Sequence, residues 1–153
     1  MSHGLTHNGG LLVLMAAVCL LLSCGGSAMN QTKATAHVKQ LAQDTARAIA
    51  PDVPTTARAG EPRVGGCGPG FGDKVDVAYS LLLPKLPPES SQQILLAAKA
   101  YFERKGYSVI GFLSTGPLPR VNAVTPDDFN LTYVIASDGT SYVGASSPCV
   151  SPK

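Results

Sequence analysis

Four cysteines occur in the chain, and the residues around the second decide how many remain to shape a fold. Leu11 to Leu22 is an uninterrupted apolar run that Leu21-Leu22-Ser23-Cys24 brings to a close. The run has the length of a secretory h-region and is too short to span about 30 Å of hydrocarbon. A cysteine directly after a small residue at the end of such a run is where a bacterial secretory signal is cut and the new N-terminus lipidated. On that reading Cys19 departs with the signal and Cys24 carries lipid, so Cys67 and Cys149 are left as a single pair. In an oxidising envelope the pair is expected to close as a disulfide, the alternatives being two free thiols or half of a metal site. A bridge closing about 80 residues stabilises by roughly 4 to 5 kcal/mol on the chain-entropy estimate, comparable with the whole stability of a small domain.

The expected division is therefore a signal peptide over 1–23, a lipidated tether over 24–29 and one domain over 30–153. Gly25-Gly26-Ser27 has tether composition. The n-region is unusual, since Met1 to Gly10 offers His3 and His7 but no Lys or Arg. A diacylglyceryl thioether and an N-acyl chain such as palmitate on Cys24 would put more than one chain in the leaflet. At about 0.8 kcal/mol per buried methylene that makes attachment effectively stable, and the polypeptide needs no membrane-binding surface of its own. Removing the signal leaves about 130 residues, enough for one domain and not two. Trp is absent and aromatics are few, so a moderate core is expected. A formal net charge of +2, evenly spread, is too small for a nucleic-acid groove or a polybasic membrane patch.

From Asn30 onward Val38, Leu41, Ala42, Thr45 and Ile49 recur at helical spacing, with Lys39, Gln40, Asp44 and Arg47 on other faces, until Pro51 stops the helix. Asp52 to Gly72 is rich in Pro, Gly and Thr and reads as a long loop pinned partway by Cys67. Lys74 to Leu83 is a half-buried strand in which Val75, Val77, Tyr79 and Leu81 alternate with smaller or polar residues. Pro84-Lys85-Leu86-Pro87-Pro88 breaks it and leads to Ser90, whose spacing to Gln93 predicts a capping box. The helix beyond buries Ile94, Leu95, Ala98, Tyr101 and Phe102 and ends near Lys105, with Gly106 as its C-terminal cap. Tyr107 to Leu113 reads as a strand, and Val121 to Val124 as no more than a short extended piece. Phe129 to Ala136 alternates, Asp138-Gly139 signals a two-residue hairpin, and a last strand runs from Thr140 to about Ala145.

This order predicts an α+β fold. It is a two-layer sandwich with two helices packed on one face of a mostly antiparallel four-stranded sheet, in the sequence helix-strand-helix-strand-strand-strand. The disulfide would staple the long loop to the end of the last strand.

Taken together, the lipidation motif, the first helix, the Cys-bearing Pro/Gly loop, the helix ending in Arg104-Lys105-Gly106-Tyr107 and the closing Tyr142-Val-Gly-Ala-Ser-Ser-Pro-Cys149 resemble small actinobacterial lipoproteins, mycobacterial ones included. The resemblance spans nearly the whole chain. Such proteins have no agreed activity, so it implies an envelope location and a fold type and transfers no catalytic residue.

Candidates for chemistry are few. His37 is the sole histidine after the signal, and beside Val38 on the first helix it reads as a solvated or half-packed position. No serine lies in a Gly-x-Ser-x-Gly turn, and one histidine with a bridged cysteine pair leaves too few ligands for zinc. Gly65 to Gly72 looks superficially like a phosphate cradle. A strand follows it, though, where a cradle needs a helix N-terminus, and no Gly-Lys-Ser/Thr occurs. Asp127-Asp128 after Pro126 is ordinary turn chemistry, and Pro84-Lys85-Leu86-Pro87 a strand-to-helix connector.

The expected function is that of a lipid-anchored, extracytoplasmic, non-enzymatic binding or accessory module of the cell envelope. No catalytic residue, metal or cofactor is assigned to it. Its partners would be the membrane through Cys24 and an envelope protein, lipid or glycan, with no nucleic acid. The site is expected on the sheet face that the helices leave uncovered, with Asp76, Ser108, Asn130 and Thr132 or their neighbours, and the long loop at its rim. The alternatives are a small envelope enzyme with a minimal site around His37 and the acidic turns, and a structural surface protein. A separation of more than about 10 Å between His37 and any acidic or nucleophilic group would exclude the enzyme.

Overall fold

The structure is a computed structural model that describes residues 28–153. The signal peptide expected over 1–23 and most of the tether, Cys24 included, lie outside the described residues.

The first helix, α1 (Gln31–Ile49), starts where Asn30, in extended conformation, accepts the Lys33 amide on its Oδ1 at 3.1 Å. Ala34, Val38, Ala42, Thr45, Ala46 and Ile49 form its buried stripe. Three alanines in that stripe let the helix axis lie close to the sheet. The second helix, α2 (Pro88–Arg104), buries Ser91, Ile94, Leu95, Ala98, Tyr101 and Phe102. It begins two residues before the expected capping box, because Pro88 takes the first helical position and Pro87 caps it without a side-chain bond. Proline there sacrifices an amide that a helix start leaves unpaired in any case. Its far end follows the expectation: Gly106 has φ +72°, its amide donates to Glu103 and the Tyr107 amide to Phe102, the two bonds of a Schellman cap.

The sheet has seven strands, which corrects the four-stranded expectation. They are β1 (Thr56–Ala57), β2 (Arg63–Gly66), β3 (Val75–Leu83), β4 (Ser108–Leu113), β5 (Arg120–Val124), β6 (Asn130–Ile135) and β7 (Ser141–Ser146). The order is β1-β3-β7-β6-β5-β4, every pairing antiparallel, with β2 beside β1 on the same edge of β3. Two of the missed strands, β1 and β2, come from the segment read as a loop. Both are exposed along their length, so no apolar periodicity betrays them; what makes them strands is the unpaired edge of β3. The third, β5, is a full interior strand between β4 and β6, burying Val121 and Ala123. Two buried residues are too few to register as a period-two pattern, and flanking prolines obscure them further. The β6–β7 hairpin forms as expected but through three residues, Ser137-Asp138-Gly139, with Gly139 at φ +85°.

Both helices lie on one face. The α1 helix covers β3 and β7, whereas α2 covers β4, β5 and β6. Between the layers Val77, Tyr79, Leu81, Phe102, Val121, Leu131, Tyr133 and Val143 are buried. Cys67, just past β2, is bridged to Cys149, just past β7, with 6.0 Å between their Cα atoms. Beside it Val75 and Val150 exchange two backbone hydrogen bonds of 3.0 and 2.8 Å. The staple therefore holds the β2–β3 turn against the C-terminal strap.

Candidate ligand-binding face

Alternation along the strands sends every second side chain away from the helices. On that face three cross-strand rows run from β3 through β7 and β6 to β5. The middle row is Ser80, Gly144, Thr132 and Asn122; one neighbour is Leu82, Tyr142, Val134 and Arg120; the other is Ala78, Ser146, Asn130 and Val124. Arg63 pairs with Ala78, and the Arg58 amide donates to the Ser80 carbonyl, so β2 and the end of β1 extend the face with two more guanidinium groups. All of these but Leu82 and Val124 line a groove of about 470 Å³.

Gly144 keeps the floor low. A Cβ there would come within 3.0 Å of Thr132 Cγ2 and 3.6 Å of Ser80 Oγ. Thr132 donates its hydroxyl to Asn122 Oδ1 at 2.7 Å, which fixes the amide and leaves its N–H groups to donate elsewhere. The Arg58 guanidinium carbon lies 5.9 Å from the centre of the Tyr142 ring, a cation–π distance. Arg63 is held by Glu61, Nε to Oε1 at 3.1 Å. Among the described residues Arg58 and Arg120 have no carboxylate partner, and no Asp or Glu lines the groove.

Of the expected site residues, Asn130 and Thr132 line the groove. Asp76 and Ser108 occupy the same face at its margin, Asp76 opposite Gly65 on β2 and Ser108 opposite Val124 on β5. The three arginines escaped the sequence reading because Arg63 and Arg120 sit on strands it missed and Arg58 lies just past another. Their signal was present at Arg120-Val121-Asn122-Ala123, where long polar residues alternate with small buried ones.

His37 has closer company than its sequence neighbourhood suggests. Its Nε2 lies 3.3 Å from Asp127 Oδ2, and its ring meets Phe129 edge-on at 4.5 Å. Thr125 donates to the other Asp127 oxygen at 2.6 Å and accepts the Phe129 amide at 3.0 Å. Asp128 turns the chain with φ +67°. The carboxylate thus stands between the imidazole and the Thr125 hydroxyl, and the contact ties α1 to the β5–β6 turn. Nearby, the Tyr107 phenol is held above its ordinary pKa by burial first, and then by the charges of Asp127 and Asp44. Among the described residues no group of three His, Cys, Asp or Glu could hold a metal ion, and no helix is long and apolar enough to cross a membrane.

No protein-family model matches the chain, and no curated protein matches it. Among solved structures, a DUF4853 family protein from Actinomyces odontolyticus ATCC 17982 is similar, with a TM-score of 0.51 and 14% identity over 82% of this chain and 71% of that one. The likeness lies in the fold, which this chain shares with an actinobacterial protein.

Proposed function

We propose that the protein is a lipid-anchored, extracytoplasmic binding module of the cell envelope, without enzymatic activity, whose ligand site is the open face of the sheet. One observation carries the reading: the helices cover one face, while the other presents a groove of about 470 Å³ with mixed polar and apolar lining, within the roughly 300–1,000 Å³ of small-ligand sites. The motif at Cys24 and the resemblance to small actinobacterial lipoproteins support the anchor. Held there, the groove would meet envelope components at high local concentration.

Crosslinking in intact cells tests it, with a benzoylphenylalanine in place of Asn130 in the groove or of Arg47 on α1. Adducts from the groove position of the anchored protein, reduced in Cys24→Ala, are expected. No adduct above the Arg47 background would overturn the site, and membrane retention of Cys24→Ala would overturn the anchor.

A second reading, an envelope enzyme around His37, has the 3.3 Å contact with Asp127 behind it. That contact belongs to the helical side of the sheet and opens onto no groove residue, so His37→Gln should leave the Asn130 adducts unchanged.

A further inference from the structure

On the helical layer Arg47 pairs with Asp44 and Lys99 with Glu103, while Lys39 and Lys105 lie over the Tyr79 and Tyr101 rings. In the groove three arginines converge with no lining carboxylate, and of these Glu61 engages Arg63. With a net charge of +2 for the whole chain, this concentration is local and belongs to the groove.

We infer that the groove binds an anionic saccharide, a sugar bearing a carboxylate or phosphate group, a conclusion that rests on the binding-module reading. Arg58 and Arg120 supply the charge recognition. A guanidinium presents paired N–H donors that match a carboxylate or phosphate edge, and the Arg58 guanidinium lies 5.9 Å from the Tyr142 ring centre. Between the cations the lining mixes apolar side chains such as Ile110 and Val134 with groups that donate and groups that accept: the hydroxyls of Ser80, Thr132 and Ser146 and the amides of Asn122 and Asn130. Sugar hydroxyls need that duality. Tyr142, half-buried in the row that ends in Arg120, lines the groove beside those side chains.

Size and placement set aside the neighbouring chemistries. A bare inorganic anion would fill a small part of 470 Å³ and leave the hydroxyl and amide groups without use. An acidic peptide adding as a strand would need a free edge, and this groove lies across four paired strands.

The test titrates the full, anchored chain in neutral detergent at fixed ionic strength with glucuronic acid, glucose 6-phosphate, glucose and inorganic phosphate, following backbone amide shifts. The expected result is that at least one charged sugar moves the amides of Ser80, Arg120, Thr132 and Gly144 and binds about tenfold or more tightly than glucose or phosphate, the scale of one charged hydrogen bond. Glucuronic acid against glucose 6-phosphate tells which anion the arginines select. Arg58→Gln and Arg120→Gln should each weaken that binding about tenfold, with Arg47→Gln unchanged. Equal binding of glucose would overturn the anionic part and leave the module reading standing. Equal binding of inorganic phosphate would overturn the saccharide part. Silence of the groove amides to every probe would overturn the inference, and the Asn130 crosslinks would then judge the module reading separately.

Discussion

The two faces of this sheet are made from the same strands and answer to opposite demands. Towards the helices, Val77, Tyr79, Leu81, Val121, Leu131, Tyr133 and Val143 are packed out of water. On the other side the middle row carries Ser80, Asn122, Thr132 and Gly144, small or polar residues that leave a groove, with Tyr142 and Val134 beside it. The covered face is a packing solution in which volume matters. The open face has no such constraint, and Arg58, Arg63 and Arg120 converge on it.

The largest expected effect concerns the rim, where the open face lacks helical support. Strand β2, which carries Arg63, is exposed throughout and is held by its ladder to β3 and by the Cys67–Cys149 bridge. Replacing both cysteines by serine should cost about 4 to 5 kcal/mol on the loop-closure estimate. It should also remove amide-exchange protection from β2 before the central strands. Retained protection across β2 would mean that the ladder alone holds the rim.

Next comes the covered face. Phe102 is completely buried between α2 and the sheet, and Phe102→Ala should cost about 3 to 5 kcal/mol by urea unfolding. Arg120→Gln, on the opposite face, should stay within about 0.5 kcal/mol of the parent. If the two variants fell together, the faces would not differ in kind and the groove would be part of the core.

Gly144 sharpens the comparison from the groove side. Its conformation permits a side chain, but a Cβ would press on Thr132 Cγ2 at 3.0 Å. Gly144→Val should therefore cost about 1 to 3 kcal/mol through overpacking and fill the groove floor. Loss of the Asn130 crosslink at a stability still high enough for folding would show that the floor, not the fold, receives the ligand. An unchanged crosslink yield would place the ligand elsewhere.

How much of this was legible in the sequence depended on which face a residue served. Covered-face residues announced themselves: the spacing of Val38, Ala42 and Thr45 placed α1, the alternation of Val77, Tyr79 and Leu81 placed β3, and Gly106 marked the end of α2. Elements that bury little were invisible, because β1 and β2 form by pairing to an edge and leave no hydrophobic trace. Asn130 and Thr132 were found by alternation, whereas Arg63 was lost with its strand and Arg58 with the strand it follows. The pairing of His37 with Asp127 joins residues far apart in the chain, and the sequence reading brought the acidic turns to His37 only in its alternative. The disulfide was reached by elimination, once Cys19 and Cys24 had been assigned to the signal and the anchor.

The smallest effect is confined to alkaline pH and to the covered face. The Tyr133 phenol lies wholly buried, and burial raises its pKa above the ordinary 10.0, with the hydroxyls of Ser141 and Ser91 pulling partway back. A raised folded-state value means that the folded protein holds this proton more tightly than the unfolded chain. The resulting stabilisation is complete below pH 10.0 and is lost as pH rises through the folded-state value. Tyr133→Phe removes that group, along with a long 3.4 Å hydrogen bond to the Ser91 carbonyl, and should change little at neutral pH. Above pH 10.0 its unfolding free energy should fall less steeply than the parent's. A residual slope should persist, since burial also raises Tyr101 and Tyr107. Identical slopes in parent and variant would mean that the Tyr133 hydroxyl reaches solvent, and the covered face would then be less dry than its packing implies.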